Sequence, residues 1–508
     1  MGIPFGQQIK NLWLDVKAMH KGLPANQYEL GRYEELHGYL KTMFGHYNSG
    51  ETGRLEADWS SSYDTPTANF KSTWRIIIAR AIASTDNNCH TIGLLNALTS
   101  NIIGTGLRPQ PRVKFASGEM ITGLNYQLSE GWKRYNDEWD ATGRQTHLEA
   151  QKMRFGEMFR TGTTITNRVK SEKGNYLSVE NQVLNVLRLD DSYDLLMPTY
   201  SDPNIKNTIF GINFSGKGRP ISYHIQGVDT AISVDNMYHH YKQTQAEQYI
   251  GIPWIVVALK YLWANENLIK DKLIASRIQA MIGLYLPDSQ YTRLARNDLD
   301  GDKNLKWIAG RVFHGRPGEK PEVVQADDSI QAVLEPIQSI LLHAISMTLG
   351  ISYQTTTRDL VKTNMASGRL NTNEDRKTYR HIQKWFAKEV CQRDWEEFVF
   401  RMFLEGKIPG KTVADYLSDS WRYNQCQWQG PGFDFIDPQG ESMAAIELNK
   451  NNMLTLQEWY GVRGQDWIDA LDQKAEEQEY IKSKGLYVEP DKKEVQKQSE
   501  NKREEIED

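Results

Sequence analysis

Cysteine is scarce: Cys89, Cys391 and Cys426 are the three in 508 residues, and no Cys-x-x-Cys pair occurs. That excludes a disulfide-scaffolded secreted domain and fits thiols kept reduced, each read as a small core residue. Long apolar runs are missing as well. The most apolar stretch, Ile252 to Ala264, is interrupted by Lys260 and reads as a buried helix, since a membrane span needs roughly 18 or more apolar residues. The opening MGIPFGQQIKNLWLDV lacks the apolar h-region of a signal peptide, and Gly6 stands where a myristoylation pattern needs Ser or Thr. Positive charge is not in excess. With 60 Lys and Arg against 65 Asp and Glu, the net charge is −5, so a domain that grips nucleic acid by neutralising phosphates is not expected.

Catalytic and metal-binding patterns are also wanting. Gly406-Lys-Ile-Pro-Gly-Lys-Thr412 imitates a phosphate-binding loop, but three residues separate its glycines where four are needed, and it comes after a predicted helix rather than a strand. A turn is the expected structure. Asp298-Leu-Asp-Gly-Asp302 resembles a calcium loop, yet placing Gly301 at the sixth position puts Arg296 at the first and Trp307 where the bidentate Glu belongs; an acidic surface loop is expected. His224, His239 and His240 lack zinc-site spacing, and the last two would sit on opposite faces of a strand. No Gly-x-Ser-x-Gly elbow or dinucleotide fingerprint occurs. The chain is therefore expected to be no enzyme and to use no cofactor and no metal.

What the sequence does contain is a large apolar and aromatic inventory, including 14 Trp, enough for about two to four folded domains. The pattern is α+β. A helix is expected from Asp86, with Ile92, Leu95, Leu98, Ile102 and Ile103 on one face and Gly104 to end it. MFRTGTTITNRV, QVLNVLRL, IFGINF and ISYHI read as strands, the last two joined by a turn over Ser215 to Pro220. Gly251 to Met281 reads as a helix about 45 Å long. KWIAGRVF and EVVQA suggest a small β-containing insertion. Asp328-Ser329 caps a second helix with Ile330, Val333, Leu334, Ile337, Ile340, Leu341, Ala344 and Ile345 at helical spacing, bent at Pro336. The polar segment SYQTTTRDLVKTNMASG reads as a mobile linker. It leads to an amphipathic helix from about Asn373 carrying Tyr379, Ile382, Trp385, Phe386, Val390, Trp395, Phe398, Met402 and Phe403. Asp437-Pro438 and Thr455-Leu-Gln-Glu458 announce two further helices. From Val488 onward no apolar period remains, and the charged tail is expected to be disordered.

Several runs, in order along almost the whole chain, resemble the lambda-type family of phage portal proteins. Asp86-Asn87-Asn88-Cys89-His90 through Asn101-Ile-Ile-Gly-Thr-Gly-Leu-Arg-Pro109 is similar to that family's paired Asn, helix and Gly-Thr-Gly turn. Gly156-Glu157, Gly218-Arg-Pro-Ile-Ser-Tyr-His224, Gly251-Ile-Pro-Trp254 and Leu349-Gly-Ile-Ser-Tyr353 match further family runs. So do Asn364-Met-Ala-Ser-Gly-Arg369, where Ala366 replaces a Ser, and Ile436-Asp-Pro438 with Leu454-Thr-Leu-Gln-Glu458 after it.

The resemblance implies a portal-type α+β subunit assembled as a ring, twelve copies being the expectation. It maps a wing to residues 1–245, stem helices to 251–281 and 326–351, and a clip to 282–325. A tunnel loop would span 352–368, a long helix returning to the wing 369–440, a helical crown 441–486 and the charged tail 487–508. The implied function is the DNA channel at one capsid vertex, with Thr355, Thr356, Thr357, Arg358, Lys362 and Asn364 facing DNA. The implied partners are further copies of the chain, double-stranded DNA, the terminase large subunit, a major capsid or scaffolding protein and a head-completion or tail adaptor protein, with no membrane. The implied location is the virion, after assembly in the host bacterial cytoplasm. The competing readings are another phage connector ring and, from a different class, a DNA-processing enzyme.

Overall fold

Two helices, α1 (Pro66–Lys71) and α2 (Trp74–Asn87), lead into a third, α3 (Cys89–Ile102). The break falls at Asn88 rather than Asp86, because the Asn88 side chain accepts hydrogen bonds from the N–H groups of His90 and Thr91 and so caps α3. This computed structural model describes residues 66–172, 174–194, 207–281, 285–287, 313–315, 328–361, 363–433, 437–465 and 467–485. All of them lie in the second of two compact units, which starts at Thr65. The expected acidic loop at Asp298 to Asp302, the charged tail from Val488, the first 65 residues of the expected wing, most of the expected clip and Lys362 lie outside the described residues.

After α3, strand β1 (Arg108–Pro111) pairs antiparallel with Cys426–Gln429 from far along the chain. Helices α4 (Thr122–Asp137) and α5 (His147–Thr161) come next, α5 opened by a capping box between Thr146 and Glu149. MFRT, read as strand from sequence, belongs to α5. Gly162, at φ +81, ends the helix and lets strand β2 (Thr163–Lys170) begin. Strands β3 (Val179–Leu184), β4 (Asn207–Ile209), β5 (Ile212–Phe214), β6 (Pro220–Tyr223), β7 (Ile232–Ser233) and β8 (Met237–Tyr241) complete two antiparallel sheets, in the orders β3-β2-β8 and β4-β5-β6-β7. The mixture of helices with small sheets is the expected α+β class.

The next helix, α6 (Leu259–Met281), starts eight residues later than the sequence reading placed it. The cause is a close approach of two glycines. A Cβ on Gly251 would lie 1.8 Å from the Gly162 carbonyl oxygen, and the Gly251 N–H donates to Thr163 Oγ1 at 2.8 Å. This pins residues 251–254 against the end of α5, so the chain cannot turn helical until it has cleared that contact. Short strands β9 (Tyr285–Pro287) and β10 (Phe313–Gly315) pair in parallel within the expected clip.

Helix α7 (Asp328–Leu349) contains Pro336 and precedes a five-residue helix, α8 (Tyr353–Thr357). Helix α9 (Met365–Phe386) runs through a π-helical turn (Ala387–Cys391) into α10 (Gln392–Leu404). The extra residue of that turn matches the five-residue step from Val390 to Trp395 and keeps both side chains buried. Residues 405–412 form the expected turn, and Thr412 caps α11 (Val413–Ser418). Then come α12 (Ser420–Tyr423), β11 (Cys426–Gln429), α13 (Pro438–Lys450), α14 (Leu456–Val462) and α15 (Trp467–Ser483). Asp437 caps α13 with Pro438 in its first turn, and Thr455 with Glu458 boxes α14, both as read from sequence. Among the described residues no helix is long and apolar enough to cross a membrane.

Three apolar cores hold these elements. One gathers Leu98 of α3, Phe155 and Phe159 of α5, Leu262 of α6, Ile345 of α7 and Phe386 of α9. A second packs Trp132 of α4 against Trp395 and Phe398 of α10, and a third packs α1 and α2 on the sheets through Phe70, Trp74, Ile165 and Phe210.

Candidate functional site

The segment between α7 and α9 is more ordered than its polar, Thr-rich sequence suggests. Gly350, at φ +66, ends α7 and Ile351 is buried. Ser352 then caps α8 by accepting from the Thr355 N–H. The cause of the ordering is Asp375, a buried carboxylate on α9. It accepts from the Ser352 N–H at 2.7 Å, from Ser352 Oγ at 2.6 Å and from Thr355 Oγ1 at 2.6 Å. On the other side of α8, the Thr356 and Ser346 hydroxyls meet at 2.7 Å, and Tyr353 stacks on His343 with ring centroids 4.3 Å apart.

The expectation of a mobile linker over 352–368 is therefore corrected. Thr356 is buried, Thr355 and Thr357 are half-buried, and the Thr357 hydroxyl donates to the Tyr353 carbonyl at 2.9 Å. The expected start of the long helix near Asn373 is corrected too, because Asn364 caps α9 eight residues earlier by accepting from the Ser367 N–H at 2.8 Å. Arg358, in the left-handed region at φ +56, and Asn364 are the exposed members of the expected DNA-facing set among the described residues.

Two groups of residues were not singled out from sequence. Asp375 sits in the charged run NTNEDRK, yet it lies four residues before Tyr379 and shares the buried stripe with Tyr379, Ile382 and Phe386; that spacing was its signal. The second group is apolar and exposed: Leu360, Val361, Met365 and Leu370. Leu360 and Met365 line a groove of about 540 Å³ together with Ala97 and Asn101 of α3 and Gln354 and Arg358.

The larger cationic surface lies on the outward side of α9 and the turn after it. Arg380, Lys384 and Lys388 recur every fourth residue, and none has a carboxylate partner among the described residues. With Arg112, Trp428, Glu458 and Trp467 they line a groove of about 1170 Å³. Arg380 also lies over the Phe433 ring at 5.5 Å.

The buried ionisable groups are engaged inside the fold. Asp394 of α10 accepts from Arg154 Nη1 at 2.5 Å and from His147 Nε2 at 3.0 Å, while Gln151 donates to His147 Nδ1 at 3.2 Å. Burial pushes the Asp394 carboxyl up, but the Arg154 guanidinium and the His147 hydrogen bond outweigh it and hold the group at about 2. Burial lowers His147, so the neutral ring donates to Asp394 and accepts from Gln151. His239 and His240 lie on β8 with successive side chains to opposite faces, as expected, and burial lowers them to about 4 and about 3. His224 instead stacks on Tyr193 at 4.2 Å. Each of these groups has a structural partner or a closed surrounding, and together they supply no exposed acid–base pair.

A family model for phage portal proteins of the lambda family matches residues 52–383. The chain belongs to this family. The portal protein of Escherichia phage N15 is 25% identical over 180 residues, covering 35% of this chain and 33% of that protein. Portal protein B of Escherichia phage lambda is 23% identical over 180 residues, with the same two shares. The matched stretch thus spans about a third of the length of these curated relatives. Among solved structures, a chain from the neck of an empty gene transfer agent particle has a TM-score of 0.42 at 13% identity, covering 80% of this chain and 96% of that one. A chain from the virion of a native gene transfer agent particle has a TM-score of 0.40 at 12% identity, with the same coverage.

Proposed function

We propose that twelve copies of this chain close into a ring that forms the DNA channel at one capsid vertex of a tailed phage. The ring serves genome packaging, DNA retention, ejection and the joining of head to tail. It sits in the virion after assembly in the host cytoplasm. The observation that carries this reading is the family match over residues 52–383, a stretch that contains α6, α7, α8 and most of α9. The composition supports it. A channel through which DNA slides must avoid deep electrostatic wells, because each phosphate held by Lys or Arg adds a salt-dependent increment of binding. A chain of net charge −5 meets that requirement.

In this reading residues 352–368 border the channel, and Arg358, Lys362 and Asn364 rather than the threonines meet the DNA backbone. The chain carries out no catalytic step. A terminase large subunit supplies the ATP-driven motor and docks at the clip, scaffolding or major capsid protein surrounds the wing, and a tail adaptor closes the ring after packaging. The test is to build heads with Arg358→Glu combined with Lys362→Glu and to measure nuclease-protected DNA per particle. The expected outcome is normal incorporation of the ring with severalfold less protected DNA. Full DNA content would remove residues 352–368 from the channel wall.

A further inference from the structure

The sheet made by β2 and β8 is covered on both sides, and only one side is apolar. Ile165 of β2 and Met237 of β8 pack into the third core. Successive side chains of a strand point to opposite faces, so Thr164, Thr166 and Arg168 stand on the other side. The register of β2 with β8 sets Thr164 beside His240 and Thr166 beside Tyr238 on that same side. Helices α5 and α10 lie over it. The Tyr238 hydroxyl donates to the Arg393 carbonyl at 3.4 Å, Arg168 pairs with Glu397, and His240 lies within the fields of Arg154 and Asp394.

The cover leaves polar atoms over. Arg154 donates through Nη1 to Asp394 Oδ2, but its Nε and Nη2 have no partner among the described residues. The same holds for Asp394 Oδ1, His240 Nε2, Thr164 Oγ1 and Thr166 Oγ1. All five residues are buried. Buried polar groups are hydrogen-bonded as a rule, because one left alone keeps its full desolvation cost. A seam with this many needs a guest.

The chemistry of these atoms selects it. The Arg154 guanidinium can only donate, the ionised Asp394 carboxylate can only accept, and the threonine hydroxyls do either. An anion would suit the guanidinium and be repelled by the carboxylate, and a cation would meet the reverse. The charges of Arg154 and Asp394 cancel, which favours a neutral guest. Water both donates and accepts, and a buried water commonly makes about three hydrogen bonds.

We infer that the seam between the polar face of β2 and β8 and helices α5 and α10 is a site for ordered water, held by Arg154, Asp394, Thr164, Thr166 and His240. The water completes the partners of the buried ion pair and joins three elements across groups that do not reach one another directly. It accounts for a strand face that is both polar and buried. The site is a property of the single subunit and stands apart from the ring reading.

The experiment uses the full chain and reads the seam directly. A density map sharp enough to show solvent should place a peak within about 2.6–3.2 Å of both Asp394 Oδ1 and Arg154 Nη2, with a further contact from the seam to Thr164, Thr166 or His240. Crystals soaked in bromide should show no anomalous signal there. An empty seam, or bromide in place of water, overturns the inference. Thermal melting of Thr164→Val and Thr166→Val reads the same site independently. Valine keeps the shape of threonine and suits a strand at least as well, so the hydroxyl is what changes. Each variant should melt at least about 2 °C lower. A melting temperature that holds or rises in both shows hydroxyls without a partner and also overturns the site. Should a variant fail to fold, the map decides.

Discussion

Asp375 and Asp394 are two buried carboxylates that join separate parts of the described chain, in different ways. Asp375 gathers three hydrogen bonds from Ser352 and Thr355, and an alanine there would leave those donors without their acceptor in a largely closed site. Asp375→Ala should cost about 2–4 kcal/mol, readable as a lowered midpoint in urea. Asp394 ties α5 to α10 through Arg154 and His147. Removing one partner of a buried ion pair leaves the other uncompensated, so Asp394→Ala should cost about 3–5 kcal/mol. Asp394→Asn, which keeps the shape, still strands Arg154 and should fall close behind.

The buried histidines give the subunit a pH dependence of definite sign. In the unfolded chain His239 and His240 take up protons near pH 6.5, while burial keeps them neutral in the folded chain until about pH 4 and about pH 3. Across that window the unfolded state binds more protons, so stability falls as pH drops from about 6.5 to about 4. Asp394, held at about 2 in the fold, adds a further loss below its ordinary value near 3.9. Melting temperature should be flat from pH 8 to 7 and decline below about 6.5, and His240→Gln should make the decline shallower. A melting temperature constant down to pH 4.5 would contradict this assignment.

At the scale of elements, α8 changes what a deletion should do. A mobile loop could be shortened at Thr355 to Thr357 with little effect, but here those residues build a helix clamped between Asp375 and Ser346. Their removal should lower the melting temperature by several degrees, since a loss of 1 kcal/mol shifts a domain of 150 to 250 residues by about 2–4 °C. An unchanged melting curve would show that α8 contributes nothing to the fold. Helix starts with a polar cap next to an apolar run, such as Thr455 and Asp437, were legible in the sequence. The starts of α8 and α9 were not, because Ser352 and Asn364 sit in a polar stretch with no neighbouring apolar run to signal a helix. The late start of α6 was hidden for another reason. It depends on the contact between Gly251 and Gly162, 89 residues apart in the chain, which no local pattern records. The strand pairings of β1 with β11 and of β2 with β8 are long-range in the same way. At the candidate site, the sequence led to the segment and to Arg358. It did not lead to Asp375 or to the exposed apolar residues around Val361, since one looked like surface charge and the others had no helical period.

For the molecule as a whole, the proposal to test is the ring. The ring proposal expects the folded subunit to associate without nucleotide, metal or DNA. The central claim is that this lambda-family chain is a ring-forming channel subunit. Its most direct test is the mass of the purified protein measured by mass photometry without added nucleotide, metal or DNA. The expected result is one dominant species of about twelve times the 58.4 kDa subunit mass, with closed rings in electron micrographs of the same sample. Monomers alone, over a wide range of protein and salt concentration, would contradict it.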